Sequence, residues 1–305
     1  MKKQFFLLAL TISAVLFIAK NNINKNENLS DFSKANAQDR QKDSVSGVIL
    51  APLSFSASNG EDEKIQNSCA VSINAKAALA KYLDQSHNTF VLNPRNFLPI
   101  ASISKLMTAL VAADNIPQNK EIRFSENAIN TEGIAGEFRS GELFRAKDLT
   151  KAMLIVSSND AAVALAEFLG EKKFVDLINK KTQAINMFDT HFAEPTGLSA
   201  LNQSTAIDLS KLVSYIYYNY PDILEITTQK ERKIFDLEKG NFKKLININM
   251  FAGEPDFIGG KTGHLDDDNG RNLAALFKRN GRIVLTIVIS AENAFEETKK
   301  LLTCF

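Results

Sequence analysis

Apolar residues are distributed very unevenly along this chain. An almost unbroken apolar run from Phe5 to Ala19 is bracketed by Lys2, Lys3 and Lys20. From Asn21 to about Asn67 the sequence is rich in Asn, Lys, Ser, Asp and Gln, with one apolar island at Val48–Leu53. After Ser68 the pattern becomes that of a folded domain. Two extended runs, Ala75–Leu83 and Thr89–Leu92, flank polar turn residues and predict a hairpin. Apolar residues at three- and four-residue spacings predict helices over Ser102–Asp114, Ala146–Leu169, Phe174–Asn186 and Thr205–Tyr218. Thr205 and Asp208 resemble a capping box for the last of these.

Strand patterns return over Phe242–Asn249, Phe257–Gly263, Asn272–Lys278 and Ile283–Ser290. Asn280-Gly281 joins the last two as a two-residue hairpin turn, since both residues tolerate positive φ. Ile283–Ile289 is apolar at almost every position, which predicts a strand covered on both faces. An amphipathic helix, Glu292–Leu302, can supply one cover. The expected fold class is α+β: an antiparallel five-stranded sheet made from both ends of the chain, flanked by the terminal helix. An all-helical lobe is inserted between its second and third strands.

The N-terminal lysines and apolar run read as an export signal. As a helix the run would span roughly 22 Å against a hydrocarbon core of ~30 Å, which allows a cleaved signal peptide or a short anchor. The nearest Ala-x-Ala pattern, Ala35-Asn36-Ala37, lies far downstream, so the expectation is an uncleaved anchor with its lysines in the cytoplasm. The resulting division is a signal peptide or membrane anchor over 1–20, a polar spacer over 21–67 and a catalytic domain over 68–305. Lys and Arg total 36 against 35 Asp and Glu, a net charge of +1 that offers no basic field for nucleic acid. The 2 cysteines, Cys69 and Cys304, fit an exported protein. Either a bridge or two buried thiols is compatible with them, and separate thiols are the expectation. With 3 histidines and 2 cysteines no metal cluster is expected, and no cofactor.

Chemistry concentrates in three segments. Ser102-Ile-Ser-Lys105 places an amine one helical turn from a hydroxyl, and Pro99 suits a helix start just ahead. A serine needs a base to become a nucleophile, and a lysine serves only if its pKa is lowered. The spacing alone is weak, because about one such pair is expected by chance in a chain of this length. Ser157-Ser158-Asn159 interrupts an apolar stretch, and Lys261-Thr262-Gly263-His264 follows two glycines at the end of a strand. In isolation, Ser157 and Asn159 could cap a helix and Lys261 could guard a sheet edge.

Together, in this order, the three segments resemble the signatures Ser-x-x-Lys, Ser-x-Asn and Lys-Thr-Gly of the penicillin-recognising serine enzymes. Within these the chain resembles the low-molecular-weight D-alanyl-D-alanine carboxypeptidases, from about Ala75 to Leu302. Ile100–Leu110, Leu154–Glu167, Pro195-Thr-Gly-Leu198 and Ser204–Leu209 carry the likeness beyond the motifs. It implies a β-lactamase/DD-peptidase-like fold and a serine carboxypeptidase trimming the terminal D-alanine of peptidoglycan stem peptides through an acyl-enzyme. By the same resemblance Ser102 is the nucleophile, Lys105 the base, and cationic Lys261 helps keep Lys105 neutral. Ser157 relays a proton to the leaving amine, and Asn159 binds the peptide backbone and orients Lys105. Lys261 and Thr262 hold the substrate carboxylate beside Gly263, and the amides of Ser102 and His264 form the oxyanion hole. β-Lactams are the implied covalent inhibitors.

Many members of that family carry a second β-rich domain and a C-terminal membrane helix, whereas this sequence runs only to Phe305, so the N-terminal segment is expected to anchor the enzyme to the outer face of the cytoplasmic membrane. Asp266-Asp267-Asp268 after the third motif is a further departure, readable as a solvated loop or as a modifier of substrate fit. The alternatives are a peptidoglycan DD-endopeptidase, a β-lactamase and a non-catalytic penicillin-binding sensor. No Glu-x-x-Leu-Asn segment follows Asn159 to supply a deacylating base of the class A β-lactamase kind.

Overall fold

The structure is a computed structural model that describes residues 68–305 except Asp267. The expected anchor, spacer and Val48–Leu53 island lie outside the described residues. Among the described residues no helix is long and apolar enough to cross a membrane.

The chain enters through β1 (Ala75–Tyr82) and β2 (Phe90–Leu92), then β3 (Leu98–Pro99), a 3₁₀ turn at Ala101–Ile103 and α1 (Ser104–Asn115). There follow β4 (Glu121–Arg123), α2 (Glu126–Ile129), β5 (Leu143–Arg145), α3 (Ala146–Ile155), α4 (Asn159–Leu169) and α5 (Glu171–Ala184). After β6 (Gln203–Ser204) come α6 (Ala206–Asn219), α7 (Pro221–Thr227) and a hairpin of β7 (Glu231–Asp236) and β8 (Asn241–Ile246). The chain ends with β9 (Phe257–His264), β10 (Arg271–Arg279), β11 (Arg282–Ala291) and α8 (Ala294–Leu302).

Five strands form one antiparallel sheet in the order β2-β1-β11-β10-β9. A lobe is inserted between its second and third strands in chain order, as expected, but it is mainly helical rather than all-helical, since β3 pairs with β6, β4 with β5 and β7 with β8 inside it. Asn280 and Gly281 both have positive φ, at 50° and 78°, and close the β10–β11 turn opposite the Arg279–Arg282 pair. The central strand β11 is buried from Val284 to Ala291. One of its faces packs on the large core shared with α1, α3, α4 and α6. The other packs under α8, where Phe251, Phe257 and Phe277 form an aromatic cluster that Phe295 joins from the helix. Helix α1 is buried at every position from Ser104 to Ala112, so it runs through the lobe as its axis.

Several boundaries differ from expectation for local reasons. Pro99 sits in β3, paired with Gln203, and the helix begins only after the 3₁₀ turn. The stretch 146–169 forms two helices broken at Val156–Ser158, where Ser157 adopts φ 60°. Residues 242–249 do not join the main sheet: β8 pairs with β7, which the pattern missed because charges occupy four of its six positions. Thr205 accepts from the Asp208 amide at 3.1 Å and caps α6 as read.

The cysteines are a correction. Cys69 and Cys304 form a disulfide with their Cα atoms 5.6 Å apart, across 235 residues of sequence. The two ends of the described chain meet at the β1–β2 hairpin: the Ser68 amide donates to the Thr89 carbonyl, and the Phe305 ring packs edge-on against Tyr82. A bridge that closes so long a loop restricts the unfolded chain strongly. Replacing both cysteines by serine is expected to lower unfolding stability by about 2–4 kcal/mol, read by urea denaturation. The same loss should appear in the unaltered protein on full reduction.

Candidate active site

The 3₁₀ turn places Ser102 at the head of α1, and the first helical turn carries Lys105 directly beneath it. Lys105 is fully buried, and its Nζ donates to Ser102 Oγ at 2.9 Å, Asn159 Oδ1 at 2.6 Å and the Thr196 carbonyl at 2.6 Å. Burial lowers its pKa from the usual lysine value to about 7, and the nearby Glu194 carboxylate opposes that shift. Two of its three partners have no proton to give. The Thr196 carbonyl is one. Asn159 Oδ1 is the other, and its orientation is fixed because Asn159 Nδ2 donates to the Glu132 carbonyl at 2.7 Å. When Lys105 gives up a proton, its lone pair therefore faces the one partner with a hydrogen, the Ser102 hydroxyl.

A second buried amine enters from β9. Lys261 is 1% exposed, and its Nζ donates to Ser157 Oγ at 3.0 Å and the Thr262 carbonyl at 2.8 Å. Burial, then repulsion from Lys105, pushes its pKa well below the usual lysine value. Burial of Lys105 itself, more than the charge of Lys261, is what makes Lys105 a candidate base. Full burial also removes the reading of Lys261 as an edge-strand guard. Ser157 sits at the α3–α4 break, where Ser158, not Ser157 or Asn159, caps α4 by accepting from the Ala161 amide at 3.2 Å.

Ser102, Ser157, Asn159 and Thr262 are all partly exposed, whereas Lys105 and Lys261 are buried. Gly263 lies against the serine turn, where a Cβ would meet the Ile100 carbonyl at 2.7 Å. His264 ends β9 opposite Arg271, exposed, with its ring Nδ1 3.3 Å from the Gly270 carbonyl. The sheet is also tied to the turn by Asn272, whose Oδ1 accepts from the Ser290 amide at 2.7 Å and whose Nδ2 donates to the Pro99 carbonyl at 3.2 Å. Of the eight residues singled out by motif, hydrogen bonds join Ser102, Lys105 and Asn159 in one group and Ser157 and Lys261 in another, and Gly263 packs against the serine turn. Among the described residues no group of His, Cys, Asp or Glu side chains is placed to hold a metal.

A family model described as D-alanyl-D-alanine carboxypeptidase, peptidase S11, matches residues 62–293. The chain belongs to that family. It is 38% identical over 137 residues to a D-alanyl-D-alanine endopeptidase of Escherichia coli, covering 44% of either chain. It is 28% identical over 250 residues to the D-alanyl-D-alanine carboxypeptidase DacF of Bacillus subtilis, covering 79% of this chain and 63% of that one. The chain thus spans about half the length of these relatives. Ampicillin-bound penicillin-binding protein D2 of Listeria monocytogenes superposes with a TM-score of 0.68 at 28% identity, over 77% of this chain and 99% of the other.

In this S11 member the motifs do not reveal what backs them. Glu132, Glu194 and Asn202 escaped the sequence reading, because only a turn seen in three dimensions brings them to the site. Asn202 is fully buried; its Oδ1 accepts from the amides of Ala193 at 2.8 Å and Glu194 at 3.3 Å, and its Nδ2 donates to Ser104 Oγ at 3.1 Å. The Pro195–Leu198 turn so held lies on the serine turn: Thr108 Oγ1 donates to the Pro195 carbonyl at 2.6 Å, and Gly197 has φ 88°. A Cβ at Gly197 would stand 2.1 Å from the Ala101 carbonyl oxygen. Gly197→Ala is therefore expected to lose about 2–4 kcal/mol from positive φ and backbone overlap combined, measured by denaturant unfolding. An unchanged midpoint would mean that the two turns are not in contact.

Proposed function

We propose that this chain is a serine-type D-alanyl-D-alanine carboxypeptidase that removes the terminal D-alanine of peptidoglycan stem peptides through an acyl-enzyme on Ser102. The observation that carries the reading is the Lys105 amine, buried, 2.9 Å from Ser102 Oγ and surrounded otherwise by acceptors alone. Neutral Lys105 takes the Ser102 proton as Oγ attacks the carbonyl of the scissile peptide bond. The oxyanion is received by the amides of Ser102 and His264, each donor contributing ~3 to 4 kcal/mol to the barrier. The proton taken by Lys105 returns through Ser157 to the leaving D-alanine amine, which restores neutral Lys105, and Asn159 holds Lys105 in register. Water then attacks the ester with Lys105 again as base.

Lys261 and Thr262 receive the substrate's terminal carboxylate. Because burial and Lys105 disfavour charge on Lys261, an arriving carboxylate supplies the counter-charge that lets it be an ammonium. β-Lactams would acylate Ser102 by the same route, in keeping with the ampicillin-bound relative. A disulfide among the described residues fits a compartment outside the reducing cytoplasm, which supports placement at the cell envelope with residues 1–20 as signal or anchor.

A second reading is a DD-endopeptidase that cuts crosslinks, favoured by the names of the relatives from Escherichia coli and Pseudomonas aeruginosa, at 38% and 37% identity. A digest of purified muropeptides separates the two: free D-alanine from monomeric pentapeptide supports the carboxypeptidase, and loss of crosslinked dimers the endopeptidase.

Ser102→Ala should abolish covalent labelling by fluorescent penicillin, and Lys261→Ala should mainly weaken substrate capture. Persistent labelling of the Ser102 variant would refute the nucleophile assignment. Below the Lys105 midpoint of about 7 the amine carries a third proton and cannot accept one from Ser102; above it the lone pair is free. Acylation by penicillin should accordingly rise about tenfold per pH unit up to that midpoint and then level off. A flat profile from pH 5 to 8 would count against Lys105 as the base.

A further inference from the structure

The turn behind Lys105 is built around a carboxylate that the chemistry above leaves unused. Glu194 accepts from the amides of Thr196 at 2.5 Å, Gly197 at 2.7 Å and Ser199 at 3.3 Å. It also accepts from the Thr196 hydroxyl at 2.6 Å and from Asn202 Nδ2 at 3.0 Å. Capping a turn needs one or two such bonds, and here five donors converge on one side chain. The peptide plane between Thr196 and Gly197 is shared: its N–H donates to Glu194, while its carbonyl accepts from Lys105 Nζ at 2.6 Å. Hydrogen bonds in series polarise one another, so an anion on the N–H side makes that carbonyl a stronger acceptor.

We propose that Glu194 is a positioning residue for Lys105, acting through the Thr196–Gly197 peptide to fix the carbonyl beneath the amine and to set negative charge behind it. The proposal rests on the reading of Lys105 as the base for Ser102. It explains why a turn remote in sequence is held so rigidly: without it a buried amine drifts in both direction and basicity. The titratable groups facing Lys105 are Glu194 from this turn and Lys261 from β9, with opposite effects; Ser102 and Asn159 are uncharged neighbours.

The test is the pH profile of penicillin acylation, measured by fluorescent labelling in the full chain and in Glu194→Gln and Glu194→Asp, with melting temperatures taken alongside. Removing the charge while keeping the size should move the acid limb of Glu194→Gln down by about 0.5–1 pH unit. Its plateau rate should fall about threefold to tenfold, because a less basic amine is a poorer base. Glu194→Asp, still charged but one methylene shorter, should lie between the two. A folded Glu194→Gln protein whose limb coincides with that of the unaltered chain would overturn the proposal, whatever its melting temperature. If the Gln variant does not fold, the Asp variant decides, and an unmoved limb there overturns it equally. Failure of the unaltered chain to label at all would instead remove the Ser102 reading beneath it.

Discussion

The structure turns on keeping one primary amine out of water. An ammonium buried without partners is prohibitively unstable, and a neutral amine is the form that a dry interior favours. Lys105 is placed between those limits. It has no exposed surface, yet it has three oxygen partners, enough to satisfy an ammonium and one more acceptor than an amine needs. Its two protonation states are therefore close in free energy near neutrality, and the surplus partner in the neutral state is the Ser102 hydroxyl. Much of the surrounding fold can be understood as the means of holding three oxygens at that spacing.

The means are mostly backbone. Ala101 and Ser157 both adopt positive φ, at 49° and 60°, although neither is glycine. Such strain persists only where neighbours over-determine it. For Ala101 the neighbours are the Gly197 turn pressed on its carbonyl, the Ser104 hydroxyl donating to that carbonyl at 2.7 Å, and Gly263 on β9 packed against it. The serine turn is thus clamped between the helical lobe and the sheet edge. Asn272 adds a direct tie from the β10–β11 irregularity to the Pro99 carbonyl. Glycine at 197 and 263 is required by close approach of backbone to backbone, which no side chain could permit.

Sequence pattern made the frame of this arrangement legible and left its supports dark. The central strand declared itself through the apolar run at Ile283–Ile289, and the turn after β10 through Asn280-Gly281, because both signals are local and strong. The three motifs named the hydroxyls, amide and amines that the hydrogen bonds of the site then connect. What stayed hidden depends on contacts between distant segments. Glu132 contributes only a carbonyl, which any residue could offer, and Glu194 and Asn202 look like ordinary loop polars until their donors and acceptors are counted in space. The break at Val156–Ser158 was lost in a continuous helical pattern, since a kink enforced by tertiary packing leaves no periodicity of its own. The disulfide was misjudged for the same reason: only the folded sheet brings the segment ahead of β1 and the end of α8 to the same place, beside the β1–β2 hairpin.

The two buried lysines also constrain each other, and this bears on why the site comes from two parts of the fold. Lys105 is carried by the helical lobe and Lys261 by the sheet edge, so a charge on either raises the cost of a charge on the other across the junction. An anion that enters the cleft relieves that cost on the Lys261 side. Under the proposed function, that relief favours the neutral form of Lys105 beside the serine, and capture of the substrate carboxylate and activation of the base become coupled through a lobe-to-sheet contact that Gly263 keeps close. A cleft built from a single element would have no such coupling, because two lysines on one helix face would repel constantly and with nothing for a substrate to relieve.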